Sequence, residues 1–375
     1  MARKVGHQAL TSLPQWRPHV REGVVAVMPD PMVDLLGELV ACPAPPGDEG
    51  AIDAIITREM QATGVEVTRD AADNLHARVP GAGPTVMVCA HKDEIGMLVT
   101  DVRPDGRLSV ENIGGAYPWK YGEGPVDVIA DDGSLVRGIL SVGSTHALSG
   151  PVHELKAQRA LTWEDVTVFT GRASDELAAL GVHVGSRAVV AAERKALQRL
   201  GDYIASYALD DRMGVVALIA GLRAMVDMPE AERPDLHFVV THGEEIGMLG
   251  AVYAAQHIRP DVCVALDTSP VAHGVPVVLD ARPVVWYREA TYNTKSECDR
   301  LCHLGDEIGV GSQACAYAAA ASDAGRVRKQ GLAGRSVCFG FARDNSHGFE
   351  IAHVDSLATV TKLLVAYLRD LRERA

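Results

Sequence analysis

The sequence predicts an α/β protein, a mixed and largely parallel sheet flanked by helices, with a small β-barrel inserted into it. Two observations carry that prediction. Short apolar, β-branched runs alternate with amphipathic helical segments over most of the chain, the pattern of a parallel sheet covered by helices. Between about Gly96 and Val190 the texture changes to glycine-rich β-type runs such as "GPVDVIADDGSLVRGIL" and "GVHVGSRAVV", with turn signals "PDG" and "DDG". That is the texture of a small closed barrel or sandwich. The 375 residues suffice for this organisation. The expected parts are an N-terminal extension over 1–24, a main α/β part over 25–95 and 191–375, and the β-rich insertion over 96–190.

The elements follow in order. A helix starts at Pro31, with Asp30 as N-cap and apolar residues at helical spacing through Leu36, Leu39 and Val40. "CPAPPGDEG" breaks it, and a second helix runs from about Ala51 to Met60. "TVMVCA" (Thr85 to Ala90), "DLHFVVT", "DVCVALD" and "RSVCFGF" read as buried strands. "DRMGVVALIAGLRAM" and "DSLATVTKLLVAYLRDLRER" read as amphipathic helices.

Composition narrows the function. An apolar fraction of 47% and a charged fraction of 23% are those of a soluble globular protein. The formal net charge of -13 disfavours a nucleic-acid partner, whose phosphates call for clustered Lys and Arg. No apolar run approaches the roughly 20 residues that span a bilayer, so no membrane partner is expected. The basic N-terminal stretch lacks the apolar core of a secretory signal. Seven dispersed cysteines without a C-x-x-C pair read as reduced thiols, and the expected location is cytoplasmic.

Five sequence pieces place polar chemistry at or just beyond strand ends. "CAHKDEIGM" sets His91 two residues before Asp93, and a carboxylate beside a histidine fixes a metal ligand's tautomer. "YALDDRMG" offers Asp210 and Asp211, which could equally cap the helix that follows. "HGEEIGM" offers Glu244 and Glu245. If strand alternation continues there, the two point in different directions, one toward a cation and one toward the space beside it. Asp267 ends "DVCVALD". His347 follows "FGFARDNS", where Arg343, Asp344, Asn345 and Glu350 make local polar packing an alternative. Open α/β sheets carry their sites at the carboxyl ends of strands, so the five pieces can converge. Mixed His and carboxylate ligands suit zinc, cobalt or manganese. One shared Asp could hold two divalent ions about 3.5–4 Å apart, lowering the pKa of water and polarising a carbonyl.

With these residues on the page, the chain resembles the di-metal aminopeptidases of the glutamyl aminopeptidase and tetrahedral aminopeptidase type. "AHKDEIGMLV", "ALDDRMG" and "HGEEIGMLGA" are similar to that family's first-ligand, bridging-aspartate and paired-glutamate motifs. The likeness extends to "ELVACPAPPGDEG", "DAADNLHARVPG" and "ENIGGAYPW", and covers the chain from about residue 30 onward. The resemblance implies that His91, Asp210 and Asp267 hold one metal, and that Asp210 bridges to a second held by Glu245 and His347. It implies Glu244 as general base, passing a proton from water to the leaving amine, and Asp93 as the residue that orients His91. Asp210 rather than Asp211 bridges, because the family's bridging acid stands two residues before a basic residue, here Arg212. The resemblance makes the main part catalytic and the insertion a lid that mediates dimerisation, often within a tetrahedral dodecamer. The expected cofactors are two divalent ions, zinc first and cobalt or manganese as alternatives; the expected substrates are small peptides.

One departure concerns the last motif. The family's Arg-Tyr-x-His-Ser-Pro is replaced by "RDNSHGFE", which keeps Arg343 and His347 at a shifted spacing. Other readings are a dipeptidase or deacylase acting on a small peptide or acylated amino acid, and a non-catalytic, metal-stabilised assembly protein. Some relatives of the family carry a cellulase label, but His91 and His347 would have no role in glycoside hydrolysis. "ECDRLCH" offers Cys298, Cys302 and His303, yet a structural zinc needs four ligands, and buried thiols fit better. His242 is expected behind the ligands. "GGAYPWKYGEG" is read as a turn on the barrel, with a lid edge beside the substrate as the alternative.

Overall fold

The computed structural model describes residues 30–146, 148–149, 151–156 and 159–375. The expected 1–24 extension lies outside the described residues. Eleven strands form one mixed sheet whose centre is parallel. Asp235–Thr241, Thr85–His91, Val262–Pro270 and Arg335–Asp344 lie side by side in that order, all pointing the same way. Their registers pair Thr241 with His91 and Asp267 with Gly340, so the carboxyl ends of all four open on one edge. Antiparallel strands close both flanks, among them Leu75–Val79 and Glu350–His353.

The central strands are mostly apolar before their carboxyl ends, as Val86 to Ala90 and Val262 to Leu266 illustrate, because helices cover both faces. On one face the helices Leu209–Val226 and Ser356–Glu373 pack together, joined by Pro31–Ala41 and Gly50–Gln61. The last helix buries Leu357, Val360, Leu363, Leu364 and Leu368 on one stripe, each contributing about 1.5–3 kcal/mol over an exposed side chain. Pro31–Ala41 starts as expected, with the Asp30 carboxylate accepting the Met32 N–H at 2.9 Å. The other face is covered by the small-residue helices Leu249–Ile258 and Asp323–Lys329.

Residues from Gly96 to Val190 supply a separate six-stranded antiparallel barrel, closed in the order Gly96–Val102, Arg107–Ile113, Thr167–Phe169, Leu135–Ser141, Gly124–Ile129, Arg187–Val190. Its interior is its own core, including Met97, Val99, Leu108, Val126, Val128 and Val168. Along Leu135–Ser141 inward and outward residues alternate strictly, the period-2 signature seen in the sequence. The seven cysteines are free thiols. Among the described residues, no helix is long and apolar enough to cross a membrane.

Candidate metal centre

The parallel strand ends bring the five pieces together. His91 is the last residue of its strand, and its Nε2 lies 3.2 Å from Asp210 Oδ1 and 4.0 Å from Glu244 Oε2. Donor atoms of His91, Asp210 and Asp267 lie within 4.8 Å of one another, and so do those of Asp210, Glu245 and His347. Asp210 is common to both groups. Glu244 belongs to neither, though its side chain is buried beside them.

Each ligand candidate is held by a partner. Asp211 points away: its carboxylate accepts the Gly214 N–H at 3.0 Å and the His91 N–H at 3.3 Å, so it caps the helix and ties it to the strand end. Capping was therefore the right reading for Asp211 but not for its neighbour. Asp267 sits in a strand that continues past it to Pro270. Opposite it a Cβ on Gly340 would come within 1.8 Å of the Asp267 carbonyl, so glycine keeps the two strands in register. His347 has left-handed backbone, φ 56°. Its N–H is accepted by Glu350 at 3.0 Å, and its Nδ1 lies 3.1 Å from the Gly115 carbonyl oxygen. That leaves Nε2 facing Asp210 at 3.5 Å and Glu245 at 3.7 Å.

Two local expectations need correction. Glu244 and Glu245 lie beyond the strand in a turn, not on a continued β-ladder. They diverge because the chain folds back there, with the Gly247 and Met248 N–H groups both donating to the Glu244 carbonyl at 2.9 Å. Asp93 likewise lies past the strand, so face alternation does not govern it. The closest contact of His91 Nδ1 to Asp93 is with its backbone carbonyl at 3.1 Å, against 3.5 Å for the carboxylate. The carboxylate instead accepts the backbone N–H groups of Glu244 and Glu245, each at 3.0 Å.

Residues that sequence reasoning passed over hold this turn and its neighbours. Glu49 bonds the His242 ring and accepts the Gly243 N–H at 3.3 Å, while Asn74 accepts the His242 N–H at 3.0 Å. His242 thus sits behind the ligands, as expected. Buried Arg343 contacts Asp210 Oδ2 at 2.7 Å and pairs with Glu350, whose other oxygen accepts the Asp210 N–H at 3.0 Å. The one available signal for Glu350 was its place in the polar cluster after His347. A Cβ on Gly115 would collide with the His347 ring, and one on Gly114 would crowd Ile95 and press on Glu245. The "GGAYPWKYGEG" segment is a turn leading into the short helix Pro118–Tyr121, and its Gly115 borders His347.

The electrostatics fit cations. Asp93, Asp210, Glu244, Glu245 and Asp267 supply five buried or nearly buried carboxylates against one guanidinium, Arg343, and two imidazoles. Burial pushes Glu244 and Asp267 well above the usual carboxylate range, with neighbouring acids adding to it, and takes Glu245 up to about 7. Burial alone would lower His347, yet Asp210 and Glu245 take it up to about 9. His91 is raised in the same way by Asp210 and Asp93 against the pull of burial. Asp210 goes the other way despite burial, held well below its ordinary value by Arg343, His347 and His91. The excess negative charge must be balanced by protons on these groups or by cations, and oxygen and imidazole donors suit divalent first-row ions. The cluster opens into a cleft of about 520 Å³.

Comparison with known proteins identifies the family and the fold. Residues 73–363 match the sequence profile of the M42 glutamyl aminopeptidases. The FrvX protein of Escherichia coli (strain K12) is 31% identical over 245 residues, 65% of this chain and 66% of that protein, just under two thirds of its length. The lysyl aminopeptidase of Pyrococcus furiosus is 29% identical over 64% of this chain and 67% of its own. The TET1 peptidase of Pyrococcus horikoshii, which can assemble into a tetrahedron or an octahedral shell, superposes with a TM-score of 0.78 at 25% identity, over 90% of this chain and 99% of that one. A profile match over more than three quarters of the sequence, with the same fold, makes this chain a member of the M42 glutamyl aminopeptidase family.

Proposed function

We propose that the protein is a co-catalytic di-metal aminopeptidase that removes N-terminal residues from small peptides. The observation that carries this reading is a pair of ligand groups sharing Asp210, with a buried glutamate that belongs to neither group beside them in an open cleft. In this reading His91, Asp210 and Asp267 hold one divalent ion, and Asp210, Glu245 and His347 the other. Zinc suits the donors best, and cobalt or manganese could replace it. When bound, such ions supply Lewis acidity toward a scissile carbonyl and make water more acidic.

Glu244 is the general base in this proposal. Its carboxylate takes a proton from the attacking water and returns it to the leaving amine, work that suits a carboxyl raised by burial. Asp93 positions it by gripping the backbone of the turn. A purely structural metal site needs no such spare acid, which speaks against a scaffold role. The reading extends to assembly: the insertion over 96–190 is proposed as the part through which copies of the chain associate, beginning with a dimer. The cross-strand neighbours Ile139 and Phe169 on its outer face are exposed, which supports that view. A cytoplasmic location belongs to the same proposal, resting on the dispersed free thiols.

The test is Glu244→Gln. It should abolish turnover of aminoacyl anilides, dipeptides and acylated amino acids while both metal equivalents stay bound. Near-normal activity in that variant would remove Glu244 from the reaction. Asp210→Ala should lose both ions by elemental analysis, and retention of two would end its bridging role.

A further inference from the structure

The cleft is lined by two chemically different sets of residues. One comprises the carboxylates and histidines. The other comprises Pro270, Val275, Trp286, Tyr317 and the alanine run 318–321. The two aromatic rings pack edge to face at 4.8 Å, and their polar donors are already used. Trp286 Nε1 donates to Ser269 Oγ at 2.7 Å, and the Tyr317 hydroxyl donates to the Pro270 carbonyl at 2.9 Å. Four consecutive alanines add no functional group and reach no farther than Cβ. Apart from Tyr317, the titratable residue in this set is His273, which is exposed to solvent.

We infer that this apolar set receives the first side chain of the substrate and selects uncharged, apolar ones, such as leucine, methionine or phenylalanine. The inference rests on the aminopeptidase reading and sharpens its substrate class. A free amino terminus and the adjoining carbonyl belong with the charged set, where acids and cations can engage them. The side chain on the first residue is then directed to the apolar set. A lysine or glutamate side chain there would leave water without a buried counter-charge, a cost that apolar side chains avoid. Pockets that match apolar surface gain affinity from area removed from water, while missing polar partners discriminate strongly against charged competitors.

The experiment uses the full chain loaded with zinc, cobalt or manganese and a panel of leucyl, phenylalanyl, lysyl and glutamyl p-nitroanilides. The expected result is a kcat/KM at least tenfold higher for the apolar pair than for either charged substrate. In Ala319→Asp, a change at an exposed position, the lysyl-to-leucyl ratio should rise at least tenfold with metal content unchanged. A wild-type preference for the lysyl or glutamyl anilide would overturn the pocket assignment and leave the aminopeptidase reading standing. An unchanged ratio in Ala319→Asp would likewise remove the alanine run from the pocket. Failure to cleave any of the four at full metal loading would overturn the aminopeptidase reading, and this inference with it.

Discussion

The Asp93 carboxylate accepts the backbone N–H of Glu244 at 3.0 Å, so an acid at one strand end fixes the main chain that carries another. Its second oxygen does the same for Glu245. Removing this grip frees a turn whose two side chains face different partners. Asp93→Ala should lower kcat by at least a hundredfold, the scale on which misplacement of about 1 Å acts. The bound metal should fall less than in Asp210→Ala. Steady-state kinetics beside metal analysis would separate the two effects, and equal, complete metal loss in both variants would contradict the positioning role.

Glu350 joins three parts of the centre: the Arg343 guanidinium, the Asp210 N–H and the His347 N–H. Glu350→Ala would leave buried Arg343 with one of its two carboxylate partners, Asp210, and two backbone donors unsatisfied. Breaking a buried pair from one side costs about 3–5 kcal/mol. Chemical denaturation should report a loss of that order. A loss below about 1 kcal/mol would mean that Asp210 alone compensates Arg343.

Gly115 is tested by adding one carbon. A Cβ there would stand 2.7 Å from both Nδ1 and Cε1 of His347. In Gly115→Ala the ring must shift from its place beside Asp210 and Glu245, and metal content after dialysis should drop from two equivalents toward one. Two equivalents held as tightly as before would show that His347 is not needed for the second ion.

Stability should also carry a pH signature away from the metal centre. Buried Glu289 accepts the Ser322 N–H and hydroxyl and an Asn293 N–H, yet burial still raises it to about 7. Its folded value lies above the unfolded one near 4.5. The folded state therefore holds more protons between those values, and stability from this group is full below 4.5 and lost as pH rises through 7. The loss is at most on the order of 3 kcal/mol. Comparing thermal unfolding of the wild type and Glu289→Gln from pH 5 to 7.5 should reveal a shallower pH slope in the variant.

Much of this was legible in the residues themselves. Apolar runs such as Val86 to Ala90 are buried on both faces, and runs of that kind signal central strands without any tertiary information. The ligand candidates were legible only as a set, because alternatives such as helix capping for Asp210 were open for single pieces, and their roles came from the resemblance. What was not legible depends on the chain meeting itself. Nothing local in "GGAYPW" says that Gly115 will touch a histidine 232 residues later. Glu350 read only as part of the polar cluster flanking His347, and its packing against Arg343 and Asp210 depends on the fold. Strand alternation suggested that Glu244 and Glu245 would part ways, but a turn gripped by Asp93, Glu49 and Asn74 is what separates them.

Gly115 belongs to the inserted segment, whereas His347 lies in the turn between two strands of the sheet, so their contact ties the two parts together at the site. If His347 holds an ion as proposed, and does so only with the insertion seated, binding would favour the seated arrangement by about 2.7 kcal/mol at a hundredfold excess over the dissociation constant. Seating must strengthen ion retention by the same amount, because linkage runs both ways. Chelation would then do more than silence chemistry: it would weaken the tie between the insertion and the turn that carries His347.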